Sequence, residues 1–445
     1  MSHEQVTRSE DTAAKSPLVY AVENEILVNG PISFDRFMGA ALYGLDTSLG
    51  FIPGYYSEEV SIGKKDKEDK FDFSTSPELS PVFGFCLAEQ IIEMKKILGN
   101  PADFKIVEMG GGRGTLAYDI IHGIRYAGEE LPEYVIIESS STLQAQQREK
   151  LKDENVSFLA GSAIDFELPQ TTGVFISNEL PDAFPVKMVS LRDGQVKELF
   201  IGLGDNEKFE EVWQDPSEDV LDFIKRNKVE IDEKTKPLNL LSEKWIQNVA
   251  RQIRRGFVIT IDYETGTFTT TTLHIDGQIE FVTRSTKEDL DLVFMAKGRA
   301  LNGFSGEEGK EHLCKKYFGK VDLTSSVDFS VIARAGKTAG LRIVGDVTQG
   351  GFLEGLGFHS LKELHYETYR EREARVIFGD RGNFKGTLRA LDNAEELLDR
   401  DRVLIQAKNV ELTNPLSGGE HVYHDRLHSS YQTFRPIEIT EEEAN

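Results

Sequence analysis

Hydrophobic residues follow two different patterns on either side of residue 100. Before it, apolar residues recur at helical spacing in FDRFMGAALYGL, within 32–45, and in PVFGFCLAEQIIEMKKIL, at 81–98. This spacing predicts two helices. Ser-Pro-Glu at 76–78 is typical of a helix start, because proline is tolerated in the first turn. We therefore predict a helical region over residues 1–100.

After residue 100, short apolar runs alternate with helix-like segments such as TLAYDIIHGIRYA. Alternating strands and helices imply right-handed crossovers, so the pattern predicts an α/β fold with a parallel, doubly wound sheet. A last strand, 402–410, is expected at an edge where it could pair with a second copy. The other predicted strands are 105–109, 134–139, 156–161, 173–179 and 257–263.

The remaining segments predict additions to this sheet. Residues 191–250 are acidic and contain a hairpin-like run followed by helices, so they form an expected insertion between a first core half, 101–190, and a second, 251–410. The β-branched run TFTTTTLHIDGQIEFVT at 267–283 carries an Asp-Gly turn, which predicts a β-hairpin. A polar tail is expected over 411–445.

The charge balance narrows the classes of partner. The chain has 445 residues, of which 75 are acidic and 51 basic, giving a net charge of -24. Such a field repels nucleic acid and anionic membranes, and it attracts cations such as arginine- or lysine-bearing protein segments. The only cysteines, Cys86 and Cys314, are too few for a disulfide framework. No run is long enough for a membrane span, and no apolar signal core opens the chain, so we expect a cytoplasmic protein.

A glycine-rich turn separates the first predicted core strand from its helix. It reads Gly110-Gly111-Gly112-Arg113-Gly114. Strand, glycine turn and helix are the nucleotide-binding arrangement of doubly wound folds, in which a ligand can lie against bare backbone. The G-x-G-x-G spacing differs from the dinucleotide fingerprint and lacks the Gly-Lys-Ser/Thr ending of a phosphate loop. We interpret it as an S-adenosylmethionine site; the alternative is a loop without a ligand.

Acidic residues at the predicted strand ends agree with this interpretation. S-adenosylmethionine carries a sulfonium and an amine but no phosphate, so it needs hydrogen-bond acceptors. Glu108 ends the first strand, and Glu138 ends the second, where a carboxylate can accept from both ribose hydroxyls. Asp165 follows the third strand and is placed to accept from the adenine amine. The alternative for Glu138 is an ordinary surface acid.

A series of motifs runs along the chain: GPISFDRFMGAAL, GYY, DFSTSPELSPVFG, VEMGGGRGTLAYDI and SNELPDAFPV, then ITIDY, DLTSSVDFSVIARAGKTAGL and VTQGGFLEGLGF. In this order they resemble the MidA-like class I methyltransferases, the family of the mitochondrial complex I assembly arginine methyltransferase. The resemblance covers roughly residues 30–410 and departs at Gly111, where the family has proline, and at Glu264, where it has glycine. It implies a Rossmann-like core with an N-terminal helical region closing over the cofactor, an inserted helical and β lid, a C-terminal extension and a homodimer.

The expected cofactor is S-adenosyl-L-methionine, with S-adenosylhomocysteine as product and no metal. His421, His424 and His428 have ligand-like spacing, but a polar tail with scattered histidines is the favoured interpretation. The sequence pattern alone indicates that residues 76–78 are an ordinary helix start. The resemblance implies instead that Ser76 and Glu78 lie near the methionine end of S-adenosylmethionine. Besides the three acids, the expected cofactor-binding residues are Ser76, Glu78, Gly110, Gly112, Gly114, Thr115, Ser139 and Asn178.

The segment Asn178-Glu179-Leu180-Pro181-Asp182 follows the fourth strand, where ligands of open α/β sheets bind. Asn178, Glu179 and Asp182 are therefore the catalytic candidates. Glu179 and Asp182 could grip a guanidinium, and one of them could act as base. The alternatives are a helix cap for Asp182 and a backbone contact for Glu179. Tyr55 and Tyr56 are expected either to line the substrate cavity or to pack in the core.

These residues and the resemblance together predict methyl transfer to a nitrogen nucleophile, and the resemblance implies arginine of a protein or peptide as the favoured acceptor. Two alternatives stay open. The same core could methylate a small molecule or natural product, or the chain could be a non-catalytic assembly or binding protein that keeps the fold.

Overall fold

The computed structural model describes residues 16–57, 75–204, 208–264, 270–275, 278–283, 292–296, 299–301, 318–358, 360–361 and 401–419. Helices dominate the N-terminal part. Two of them begin at serine caps: the Ser16 side chain accepts from the Val19 amide, and the Ser80 side chain accepts from the Val82 amide. The elements are α1 (Pro17–Asn29), β1 (Ile32–Ser33), α2 (Phe34–Tyr43), β2 (Leu45–Thr47), β3 (Gly50–Ile52), a 3-10 turn (Tyr55–Ser57), α3 (Ser76–Leu79) and α4 (Pro81–Ile97).

The first half of the core alternates strand and helix, as the sequence pattern predicts. Most of its apolar runs are buried, because both faces of the sheet are covered by helices; the run at 156–160 is only partly covered. Its elements are β4 (Phe104–Met109), α5 (Thr115–Tyr126), β5 (Glu133–Glu138), α6 (Ser141–Lys150), β6 (Val156–Ala160) and β7 (Thr171–Asn178), followed by a 3-10 turn (Pro181–Ala183).

A second, antiparallel sheet follows and includes the predicted hairpin. Its strands are paired around β9, with β1 from the N-terminal part as one partner. The aromatic rings of Phe37, Phe209 and Phe318 pack together and join this sheet to α2. The elements are β8 (Lys187–Arg192), β9 (Gln195–Leu203), β10 (Phe209–Gln214), α7 (Glu218–Asn227), β11 (Lys236–Leu238) and α8 (Leu240–Gln252).

The rest of the chain completes the core and carries the hairpin predicted at 267–283, whose strands pair with Ile275 opposite Gln278. The three tail histidines lie outside the described residues. The elements are β12 (Ile253–Tyr263), β13 (Thr270–Ile275), β14 (Gln278–Thr283), β15 (Leu292–Ala296), β16 (Arg299–Leu301), β17 (Val321–Ser325), α9 (Phe329–Thr338), β18 (Arg342–Thr348), α10 (Gln349–Gly355), β19 (Asp401–Lys408) and a 3-10 turn (Ser417–Gly419).

The central sheet has seven strands in the order β18-β19-β12-β7-β4-β5-β6. β19 pairs antiparallel with both of its neighbours, and the other six strands are parallel to one another. The predicted α/β architecture is confirmed, with this one reversed strand as an addition. The edge position predicted for the last strand is wrong: β19 is paired on both sides, which removes the argument for a homodimer through that strand.

Helices pack on both faces of this sheet, α4 and α5 on one face and α8 and α9 on the other. Because six strands of the sheet run in the same direction, their carboxyl ends meet at one edge of the sheet. The reversed strand β19 begins at this same edge. The loops after β4, β5, β7 and β12 converge there, as in other doubly wound folds. None of the helices in the described part of the chain is long and apolar enough to cross a membrane.

Candidate active site

The glycine turn after β4 adopts a backbone that requires glycine. Gly110, Gly112 and Gly114 have φ angles of 70°, 50° and 78°, all in the left-handed region. The Gly110 amide donates to the Ile137 carbonyl at 2.9 Å, and the Gly114 amide donates to the Gly111 carbonyl at 2.8 Å. The turn is thus fixed against β5 and leads directly into α5.

Gly110→Ala is expected to weaken both the fold and cofactor binding. A Cβ at this position would lie 2.8 Å from the Leu180 side chain, and the φ of 70° strains any L residue. We expect a loss of about 1–2 kcal/mol in the free energy of unfolding, measured by denaturant titration. Gly99→Ala is the matched control, because Gly99 has a φ of 83° and no described residue lies within 4 Å of the added Cβ. Calorimetric affinity for S-adenosylmethionine should fall only in Gly110→Ala; equal affinities in the two variants would contradict this account.

Glu138 ends β5 beside the glycine turn and is buried. The Ser140 amide donates to one carboxylate oxygen at 2.9 Å, and the Gln147 side-chain amide donates to the other at 3.3 Å. The same Gln147 amide donates to the Gly112 carbonyl at 2.8 Å, so the carboxylate and the turn share one brace. Burial, opposed by these hydrogen bonds, raises the pKa of Glu138 to about 7.

Cofactor affinity should therefore depend on pH. The ionised carboxylate accepts from hydroxyl donors, and with a pKa near 7 it takes up a proton as the pH falls through neutrality. We expect the calorimetric affinity for S-adenosylmethionine to be constant above about pH 8 and to fall by up to about tenfold per pH unit well below the pKa. Glu138→Gln should remove this dependence. A flat profile for the unmodified protein would exclude the proposed role.

The other predicted cofactor residues lie in different surroundings. Glu108 is buried beneath the turn and accepts from the Tyr134 hydroxyl at 2.6 Å; burial raises its pKa to about 8. The Thr115 hydroxyl accepts from the Lys150 ammonium at 2.6 Å. Ser139 and Asp165 are exposed, in the loops after β5 and β6. The cofactor contacts of these residues stay predictions.

The loop after β7 holds Glu179 in an unusual backbone conformation. Its φ is 49°, which costs a residue other than glycine about 1–3 kcal/mol and needs support from its surroundings. That support includes hydrogen bonds to both its backbone and its side chain. The Glu179 amide donates to the Ile261 carbonyl at 2.9 Å, and the carboxylate accepts from the Tyr263 hydroxyl at 2.8 Å and from the Asn178 side-chain amide at 3.2 Å.

Asp182 lies in the 3-10 turn that follows and is buried. Its amide donates to the Asp262 carboxylate at 3.1 Å. The Oδ1 atom of Asp182, like that of Asn178, is buried and has no hydrogen-bond partner among the described residues. Burial, and then the neighbouring carboxylates of Glu179 and Asp322, raise the pKa of Asp182 well above its usual range. The turn has no side-chain cap bond, so the cap alternative for Asp182 finds no support here.

Aromatic residues stand beside these acids. The Tyr56 hydroxyl donates to Asp322 at 2.9 Å, and the Tyr56 ring stacks on Tyr43 with centroids 5.6 Å apart. The Tyr43 hydroxyl donates to the Ala183 carbonyl at 2.8 Å, next to Asp182. Tyr55 is buried, edge-on to Tyr56. Both tyrosines of the predicted pair thus belong to one aromatic cluster, which Tyr43 completes.

The helix start at Ser76 reaches the same edge of the sheet. The Ser76 amide donates to the Glu179 carboxylate at 3.4 Å, and its hydroxyl accepts from the Gln349 side chain at 3.0 Å. Glu78 is half-buried in the same short helix, α3, and Ser74 lies outside the described residues. The structure therefore brings Ser76, Glu179 and the end of β12 together.

Sequence patterns alone missed five residues of this site. Asp262 and Tyr263 belong to a motif that was recognised but given no role. Tyr43 is concealed within the periodic pattern of α2. Asp322 and Gln349 also lie in matching motifs, but neither carries a predicted role. They come together because β12, β17 and α10 meet at the edge where β7 ends.

Residues 86–347, more than half of the chain, match the model of a family described as S-adenosyl-L-methionine-dependent methyltransferase. The chain belongs to this family. S-adenosyl-L-methionine is therefore its cofactor, and the predicted resemblance is confirmed. The structure fits the cofactor, because the bare glycine backbone, the fixed carboxylate of Glu138 and the Oδ1 of Asn178 lie along the edge where nucleotides bind. Within the described ranges, that Oδ1 has no hydrogen-bond partner.

Individual relatives support the same assignment. The chain is 23% identical, over 74% of its length and 72% of the relative's, to the mitochondrial protein arginine methyltransferase NDUFAF7 homolog of Drosophila melanogaster. It is 26% identical to the mouse protein, over 77% and 74% of the two chains. A structure from Burkholderia thailandensis, bound to S-adenosyl-homocysteine, has the same fold, with a TM-score of 0.67 at 24% identity over 90% of this chain and 94% of that one.

Proposed function

We propose that this methyltransferase modifies a guanidinium nitrogen, and that its acceptor is an arginine side chain of a protein or peptide. The observation that carries the proposal is the pair of acids after β7, Glu179 and Asp182, held where the cofactor is expected to bind. One Asp182 oxygen is buried without a hydrogen-bond partner in the described part of the chain. Curated relatives are named as protein arginine methyltransferases, which supports the same acceptor.

The electrostatics of the site favour a cationic acceptor. Burial, and after it the neighbouring carboxylates, raise the pKa of Asp182 and of the adjacent Asp262, so repulsion among the carboxylates adds to the cost of ionisation. A guanidinium bound here would relieve that repulsion and would favour the ionised carboxylates. It would also satisfy two oxygens at once, since its planar fork matches paired carboxylates.

Glu179 and Asp182 have different roles in the proposed reaction. The bound cofactor supplies the methyl group as an electrophile. Glu179 fixes the orientation of the guanidinium, which matters because alignment accounts for much of the rate of such transfers. Asp182 Oδ1 accepts the proton that the methylated nitrogen must lose, a role suited to a carboxyl whose pKa lies well above its usual range.

Labelled cofactor tests this proposal. The purified protein is incubated with methyl-tritiated S-adenosylmethionine and a cell extract, and the labelled products are hydrolysed and separated. Label in ω-N-methylarginine is expected. Label in lysine, in an oxygen nucleophile or in a small metabolite would replace arginine as the acceptor, and the last would favour the small-molecule alternative.

The cytoplasmic location and the homodimer stay predictions. The relatives described above are named as mitochondrial proteins, so they do not favour the cytoplasm. The described structure offers no dimer contact through β19, because both sides of that strand are paired within the sheet.

A further inference from the structure

We infer that Asp262 and Tyr263, the last residues of β12, are positioning residues for methyl transfer: they hold the acceptor loop, residues 178–182, from the neighbouring strand. The inference rests on the roles proposed above for Glu179 and Asp182. It assigns a function to the ITIDY segment, which is otherwise only a strand of the core.

Three hydrogen bonds connect β12 to the acceptor loop. The Ile261 carbonyl accepts from the Glu179 amide at 2.9 Å, and the Tyr263 hydroxyl donates to the Glu179 carboxylate at 2.8 Å. The Asp262 carboxylate accepts from the Asp182 amide at 3.1 Å. Each proposed acceptor ligand is therefore held by a different residue of the same strand end.

The register explains why these two residues can reach the loop. β12 runs parallel to β7, and their pairing ends with Ile261 opposite Asn178, so Asp262 and Tyr263 extend beyond the end of β7. The acceptor loop turns away from the sheet at this point. The two projecting residues are left beside it.

The projecting end of β12 is fixed from its other side. There, Tyr263 pairs with Asp401 and Asp262 pairs with Arg402 in β19. The Arg402 guanidinium is buried, forms two hydrogen bonds to Asp346 at 2.6 and 2.7 Å, and also binds Glu264. Because β18 and β19 hold the end of β12 in place, β12 can fix the position of the acceptor loop.

Asp262 acts through other residues and not on the acceptor itself. Its side chain is fully buried, with one carboxylate oxygen accepting from the Asp182 amide and the other from the Tyr263 amide at 2.7 Å. Asp182 differs, since none of the residues that the structure describes donates to its Oδ1. The Tyr263 hydroxyl donates to Glu179, whose backbone lies at a φ of 49° and needs support from its surroundings.

Tyr263→Phe removes only the hydroxyl and is the first test. At saturating cofactor, on whichever acceptor the unmodified protein labels, we expect kcat to fall about 10- to 100-fold. The affinity for S-adenosylmethionine should stay within about threefold, because the lost bond is on the acceptor side. An unchanged kcat would overturn the inference. If the labelled acceptor proves not to be arginine, the proposed function fails while this comparison still stands.

A crystal structure of Tyr263→Phe with S-adenosylhomocysteine provides a readout that does not depend on turnover. The Glu179 carboxylate should leave its present position, whereas Tyr134→Phe, which removes a buried hydroxyl that donates to Glu108 at 2.6 Å, should leave it in place. An unmoved carboxylate in Tyr263→Phe would contradict the inference even if no acceptor were found. For Asp262, the Asn variant keeps one acceptor oxygen and should recover at least tenfold of the kcat lost in Asp262→Ala; equal losses in the two variants would remove its role.

Discussion

Glu179→Gln is expected to reduce methyl transfer at least about 100-fold while leaving cofactor affinity within about threefold. The substitution keeps the size of the side chain and removes its negative charge. Protein donors from Ser76, Asn178 and Tyr263 already surround the carboxylate. The NH2 group of a glutamine would face some of these donors without accepting from them. The neutral amide would also fail to hold a guanidinium. The loss should appear in kcat measured with labelled cofactor.

The matched control for this variant is Glu154→Gln. Glu154 is also largely buried and forms an ion pair with Arg125, but it precedes β6 and so lies at the opposite edge of the sheet. It should retain normal transfer. Full activity in Glu179→Gln, or an equal loss in both variants, would show that Glu179 has no specific part in transfer.

Glu138→Ala is expected to weaken S-adenosylmethionine binding about 100-fold. Two hydrogen bonds from ribose hydroxyls to a buried carboxylate contribute together about 3 kcal/mol, and each 1.4 kcal/mol is a factor of ten. Calorimetry measures the loss directly. Because the reacting groups lie at a different strand end, kcat at saturating cofactor should stay within a few-fold of normal.

Glu133→Ala controls for the effect of removing an acid from the same strand. Glu133 begins β5, is partly exposed and forms an ion pair with Lys105, far from the glycine turn. Its substitution should leave cofactor affinity unchanged, as expected for a surface ion pair. Unchanged affinity in Glu138→Ala would mean that the cofactor ribose is bound elsewhere.

The cofactor half of the site could be predicted from the sequence because its signals are local. The apolar run of β4, the glycines at positive φ and the acid at the end of β5 are close in sequence, and parallel strands bring such ends to one edge. Glu179 and Asp182 follow from the same rule, as residues just after β7.

The contacts around the acceptor loop depend on the register of strands that are far apart in the sequence, and no local pattern encodes that register. Tyr263 meets Glu179 only because β12 extends past β7, and Tyr56 meets Asp322 across 266 residues of sequence. The sequence pattern also does not predict that β19 lies in the interior of the sheet. A strand near the end of a chain can pair at an edge or insert between two others, and its apolar pattern is the same in both cases.

The central claim is that the acids of the acceptor loop bind a cationic guanidinium for methylation. It is tested most directly with two peptides that differ at one position, arginine in one and citrulline, its neutral isostere, in the other. Mass spectrometry with S-adenosylmethionine and the purified protein should show methylation of the arginine peptide and none of the citrulline peptide. Equal methylation of both, or modification only at another residue, would contradict the account.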